Sequence, residues 1–126
     1  MLFTPKNVAR TKRGEKTQTR RLAKPGDCII KGTVFDAKGH RRWSVGKTYA
    51  MCPGRGKTAE GRIRIKSIRG ERLHRLTLDD LGAEGFFVGV LKFQPFIIEW
   101  DTLHRPGFRW PDNPKVWVLG FERVRA

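Results

Sequence analysis

Six consecutive polar side chains, Lys16-Thr17-Gln18-Thr19-Arg20-Arg21, bring together an amine, two hydroxyls, an amide and two guanidiniums with nothing apolar to bury. Such a run is either a solvated basic loop or the polar wall of a site. Thr19 offers a hydroxyl nucleophile, which needs a base. Lys16 can supply one if burial or neighbouring cations keep its amine neutral. Arg20 and Arg21 push Lys16 in that direction, and a close carboxylate pushes against it. The candidate carboxylate is Glu84, in the last turn of a helix predicted from Thr77, where the helix dipole disfavours negative charge. A residue that breaks a local rule is either a mildly penalised surface group or a functional one. Lys16, Thr19 and Glu84 are the catalytic combination left after the alternatives are removed.

Those alternatives fail on spacing. His40, His74 and His104 have no metal-ligand spacing with one another or with Cys28 and Cys52, so neither a metal site nor a cofactor is expected. The two cysteines read as buried, reduced thiols. No Gly-x-Ser-x-Gly elbow is present. Gly46-Lys47-Thr48 and Gly56-Lys57-Thr58 each imitate the end of a phosphate-binding loop, but the required upstream glycine is replaced by Arg41 and Met51. Gly56-Lys57-Thr58 also runs into an alternating strand pattern, where a phosphate-binding loop opens a helix. A nucleoside triphosphatase is excluded.

Charge points to the partner. The chain has 126 residues and a net charge of +15, and residues 1–75 carry 21 basic against 5 acidic side chains. Residues 76–126 hold 6 basic and 7 acidic, so the excess belongs to the front of the chain. A one-sided excess of this kind suits a polyanion, and nucleic acid is the expected one. Arg62, Arg64 and Lys66 alternate with Ile63 and Ile65, which puts three cations on one strand face. Arg41 and Arg42 in an exposed basic hairpin, and Arg55 and Lys57 in a glycine loop, extend the candidate nucleic-acid contacts. A stripe of this kind is also what a solvated sheet face with basic gatekeepers looks like. No segment pairs a basic face with a broad apolar one, no apolar run reaches membrane length, and no secretory leader pattern is seen. The expectation is a cytoplasmic protein without membrane contact.

The elements that must position these residues follow from local signals. Met1-Leu2-Phe3 reads as a short strand. Thr4 caps and Pro5 opens a helix running to about Arg13, with Gly14 as a left-handed stop. Lys24-Pro25-Gly26-Asp27 is a turn, Cys28 to Lys31 and Thr33 to Phe35 are strands, and Thr48 to Cys52 is a strand carrying Tyr49. Ile68 falls on the opposite parity to Ile65, which predicts a bulge or strand end near Ser67. Thr77-Leu78-Asp79-Asp80 starts a helix that Gly85 ends. Pro95 opens another, with Phe96, Ile97, Trp100 and Leu103 at core spacing. Val116 to Val124 is the last strand, with Trp117, Leu119 and Phe121 on one face. The length suits one domain over 1–126, an α+β fold built on a compact twisted β-barrel of about five or six strands with short flanking helices.

Gly14-x-Lys16-Thr17-x-Thr19-x-Arg21 resembles the signature of ASCH-domain proteins, relatives of the PUA-like RNA-binding barrels. Met1-Leu2-Phe3-Thr4-Pro5, Tyr49 to Lys57, Gly61-Arg62-Ile63, Ala83-Glu84-Gly85-Phe86, Trp100 and Asn113-Pro114-x-Val116-Trp117-Val118 continue the resemblance in order along nearly the whole chain. It implies a PUA-like barrel. Some small members hydrolyse the exocyclic amide of acetylated cytidine, and their proposed triad corresponds to Lys16, Thr19 and Glu84. Thr17, Gln18, Arg20, Arg21 and Tyr49 would then contact substrate. Other members are described as RNA binders or ribonucleases, so the implied partner is RNA or a modified pyrimidine nucleoside. The basic insert between Cys28 and Tyr49 departs from the minimal amidohydrolases and suits an RNA-facing protein. The expected chemistry is amide hydrolysis on N(4)-acylated cytidine, and the alternative is a non-catalytic RNA-binding module or a ribonuclease using the same pocket.

Overall fold

A computed structural model describes residues 1–125. The first residues do not form a regular strand; Leu2 makes a single parallel bridge to Cys52. Thr4 then caps α1 (Pro5–Lys12), its hydroxyl accepting from the Asn7 N–H. A proline in the first turn costs no hydrogen bond, because the N–H it lacks has no partner there. Gly14 follows with φ +76°, the left-handed stop that the sequence predicts.

Among the described residues, seven strands form two antiparallel sheets. β1 (Gln18–Leu22), β7 (Lys115–Val124), β6 (Arg62–Arg72) and β5 (Thr48–Ala50) make the larger, in the order β1-β7-β6-β5. β2 (Cys28–Ile30), β3 (Thr33–Phe35) and β4 (Arg41–Ser44) make the smaller. The expected closed barrel of five or six strands is therefore corrected. Among the described residues the strands do not close. After β1 the Pro25-Gly26 turn, with Gly26 at φ +85°, sends the chain away from its neighbours, so β1 stays an edge strand. The sheets meet through backbone bonds from Gly46 N–H to the Ile65 carbonyl (2.8 Å) and from Ile65 N–H to the Lys47 carbonyl (3.0 Å). The bulge expected near Ser67 is present, as a register shift between Ile65 and Ser67 against β7.

β7 is buried on both faces, which explains its run of apolar residues. Trp117, Leu119 and Phe121 join Ile63, Ile65, Val34 and Trp43 in a core between the sheets. Val116 and Val118 point the other way, into a second core with Leu81 of α2 (Leu78–Ala83) and with Phe96 and Trp100 of α3 (Gln94–Leu103). Leu103, placed by its spacing in the core stripe, is instead 52% exposed. The two cysteines are free thiols as expected, but their expected burial is corrected: Cys28 is exposed and Cys52 half-buried. Cys28 sits on β2, which is exposed along its whole length, so alternation cannot hide it. No described helix is long and apolar enough to cross a membrane.

Candidate functional site

The polar run is held by its backbone, which frees its side chains. The N–H groups of Glu15 and Lys16 both donate to the Arg10 carbonyl, tying the run to the end of α1. Thr17 donates to the Ala83 carbonyl (2.8 Å) at the end of α2 and accepts from Phe121 of β7 (2.9 Å). Strand pairing begins only at Gln18, opposite Gly120. The chain thus turns before β1, and the odd three-residue step from Lys16 to Thr19 does not send them to separate sites. Both line one cavity of about 580 Å³. Its lining draws on both faces of β1, as an edge strand allows.

Glu84 caps the C-terminus of α2, its N–H donating to the Asp80 carbonyl (2.8 Å), and it is buried to 3% exposure. A carboxylate at that end of a helix needs compensation. It receives three donors: Lys16 Nζ on Oε1 (3.3 Å), Gln18 Nε2 on Oε2 (3.1 Å) and Arg20 Nη1 on Oε2 (3.3 Å). Lys16 Nζ also donates to the Glu84 carbonyl (3.3 Å). The next residue, Gly85, has φ +93°, and a side chain there would press on Arg10 and Lys16 at 3.1 Å. Glycine is what lets the three segments converge.

Burial pushes the Lys16 amine below the usual lysine range; the Glu84 carboxylate opposes this and Arg21 adds to it. The balance left open by the sequence therefore falls on the side of a more readily deprotonated lysine. Arg20 is fully neutralised, with its Nη2 on Glu71 Oε1 and 3.3 Å from Asp80 Oδ2, in addition to Glu84. Burial alone would raise Asp80, but the Thr77 backbone N–H and the Arg20 charge hold it at about 2. Thr19 is 6% exposed and lines the cavity, and no hydrogen bond among the described residues engages its hydroxyl.

The remaining sequence candidates divide. Arg20 and Arg21 line the cavity, whereas Gln18 is buried behind it against Glu84 and Asp80. Thr17 is exposed and acts through its backbone. Tyr49 lies apart from the cavity: it packs at the margin of the inter-sheet core, its hydroxyl accepting from Ser44 N–H (2.8 Å). Arg42, expected on an exposed hairpin, turns inward to pair with Asp27 and joins the cavity lining. Arg41, Arg55, Lys57, Arg62, Arg64 and Lys66 are exposed and belong to a separate surface. Sequence reasoning missed Lys24 and His104. His104 follows Trp100 by one helical turn and stacks on its ring at 3.8 Å, a spacing that could have revealed it. A larger apolar groove of about 870 Å³ lies alongside, between α1, α3 and residues 85–91; of its charged neighbours Lys6, Arg10 and Glu99, the last two are paired with each other at 2.9 Å.

Comparison with solved structures places this architecture. An ASCH domain from Lactobacillus crispatus JV V101 superposes with a TM-score of 0.60 at 19% identity, covering 93% of this chain and 69% of that one. The fold is that of an ASCH domain. Protein EF3133 from Enterococcus faecalis V583, of the DUF984 family, shares it with a TM-score of 0.63 at 13% identity over 94% of this chain and 68% of that one. The hypothetical protein PH0355 does so with a TM-score of 0.61 at 16% identity, covering 98% and 96%. No family model and no curated protein matches the sequence. In this ASCH fold the converging elements are the end of α1, the edge strand β1 and the C-terminus of α2.

Proposed function

We propose that this ASCH-type protein binds a pyrimidine nucleoside unit and hydrolyses the exocyclic amide of N(4)-acetylated cytidine. The observation that carries the reading is the buried Lys16 amine, poised on Glu84 in the cavity that also holds the unengaged Thr19 hydroxyl. In the proposed reaction Lys16, neutral, takes the Thr19 proton as the hydroxyl attacks the acetyl carbonyl. The tetrahedral intermediate collapses with cleavage of the C–N bond, and the Lys16 ammonium returns the proton to the leaving exocyclic amine. Cytidine departs and an acetyl ester remains on Thr19. Water, deprotonated by Lys16, then releases acetate and restores the hydroxyl. Glu84 holds the lysine in place and steadies its ammonium in each half-reaction. Purified protein should convert acetylcytidine to cytidine and acetate by chromatography; substrate left intact after prolonged incubation overturns the reaction.

A second reading, a non-catalytic RNA-binding module, is favoured by the cationic face of β6. Arg62, Arg64 and Lys66 are all exposed there. Arg62 donates to the Thr48 hydroxyl (3.1 Å) and Arg64 lies 3.5 Å from Glu122, partners that water-exposed cations exchange readily for phosphate. RNA affinity should fall with salt at a log–log slope of about −0.7 per phosphate contact. Arg62→Ala with Arg64→Ala should flatten that slope by about 1.4, two contacts' worth. Fluorescence anisotropy over a salt series checks this, and an unchanged slope removes the stripe from the interface.

A further inference from the structure

Two consecutive arginines of β1 meet opposite fates. Arg20 is surrounded by Glu71, Asp80 and Glu84. Arg21 is mostly buried too, yet among the described residues no carboxylate pairs with it. Its Nη2 donates to the Leu2 carbonyl (2.7 Å), one face of its guanidinium lies 5.2 Å over the Phe3 ring, and its buried Nε, like that of Arg20, has no partner. A partly desolvated guanidinium with no paired carboxylate is open to an anion that reaches it through the cavity. Its surroundings do not supply that charge. Lys24, Arg42 and His104 line the same cavity, and the nearby carboxylates are already paired: Asp27 with Arg42, Glu99 with Arg10, and Glu84 with Lys16 and Arg20. Burial brings Arg21 down to about 10; the Glu84 charge opposes this and Arg42 adds to it.

We propose that Arg21, with Lys24 and Arg42 beside it, forms a phosphate subsite in the cavity that Lys16, Thr19 and Glu84 also line. The ligand is then a cytidine bearing phosphate, free nucleotide or strand, and a bare nucleoside fills the site incompletely. A guanidinium fork matches two phosphate oxygens at once. The cavity volume of about 580 Å³ lies within the range that holds a ligand of nucleotide size. Arg21 is near enough to Glu84 for their charges to interact without being paired to it, as expected if a ligand spans from a reacting group to an anionic one. The proposal rests on the nucleoside reading for the base, but not on hydrolysis.

Calorimetric titration of cytidine, cytidine 5′-monophosphate and the dinucleotide cytidylyl-cytidine into the whole protein tests it. The monophosphate or the dinucleotide should bind at least about tenfold tighter than cytidine, equivalent to 1.4 kcal/mol. In Arg21→Met that ratio should fall close to one, and in Lys24→Gln it should narrow. Preference for the monophosphate identifies a free nucleotide; preference for the dinucleotide identifies a strand. Should Arg21→Met fail to fold, the wild-type ratio, the Lys24→Gln ratio and competition by inorganic phosphate decide. Equal affinity for cytidine and both phosphorylated ligands overturns the subsite, as does a ratio unchanged in folded Arg21→Met. Phosphate preference in a protein that leaves acetylcytidine intact keeps the subsite and removes the reaction.

Discussion

Arginine in place of Lys16 should abolish acetylcytidine hydrolysis, with a loss of about 10²–10⁴ in kcat, the usual contribution of a positioned general base. The substitution keeps a cation beside Glu84 but removes the ability to release a proton, because guanidinium stays charged at any working pH. RNA affinity should stay near that of the parent, since no charge changes and the β6 stripe is untouched. In the parent, kcat/KM should rise with pH and level off below the 10.5 of an ordinary lysine, because burial lowers the Lys16 amine. Steady-state rates over a pH series check both statements. A variant that still turns over, or a flat profile through the alkaline range, removes Lys16 as the base.

The second large effect is structural. Glu84→Gln should lower stability by about 3–5 kcal/mol, the cost of removing one partner from a buried ion pair. Arg20 keeps Glu71 and Asp80, but Lys16 loses its one carboxylate. For a domain of this size the melting temperature should drop by about 10–20 °C. The deficit should depend on pH in a defined direction. Without the Glu84 carboxylate, the largest influences that raise the Lys16 pKa are gone and only the weaker Glu99 charge remains, so its folded value sits further below the unfolded 10.5. Between those two values the unfolded chain binds more protons, and stability rises with pH. The gap between Glu84→Gln and the parent should therefore narrow as pH climbs towards 10.5. A gap that widens with pH, or a variant as stable as the parent, contradicts this account. Thermal melts at several pH values provide the measurement.

What could be read in advance was local. Thr4-Pro5, Gly14 and the Thr77 capping box mark helix ends because caps and left-handed stops are decided by a few adjacent residues. The alternation of Ile63 and Ile65, then the parity change at Ile68, reveals both a strand and its bulge. The candidate catalytic residues were legible as a polar run with nothing to bury and a carboxylate against its helix dipole. Tertiary pairing was not. Whether strands close into a barrel depends on which edges meet, and Pro25-Gly26 reads as a turn without revealing where it leads. The place of Tyr49 outside the cavity is of the same kind: its hydroxyl accepts from the backbone N–H of Ser44 across a tight connection. Arg42 turns inward because Asp27 waits there, a pairing that neither residue's neighbours announce. The neutralisation of Arg20 by Glu71 and the isolation of Arg21 depend on contacts from distant segments.

The place of β7 between β1 and β6 also sets the order in which the protein can be made. Gln18 pairs with Gly120, so the strand carrying Thr19 finds its only sheet neighbour about a hundred residues later in synthesis. Closing so wide a loop is slow compared with forming the local hairpins. During translation, β2-β3-β4 and β5-β6 can assemble while the Lys16–Arg21 segment remains undocked, its cations still in water. Only when residues 115–124 leave the ribosome can β1 dock and the lysine lose its hydration. The site can thus form only after β7 has been made, and a nascent chain cannot act before that strand is in place.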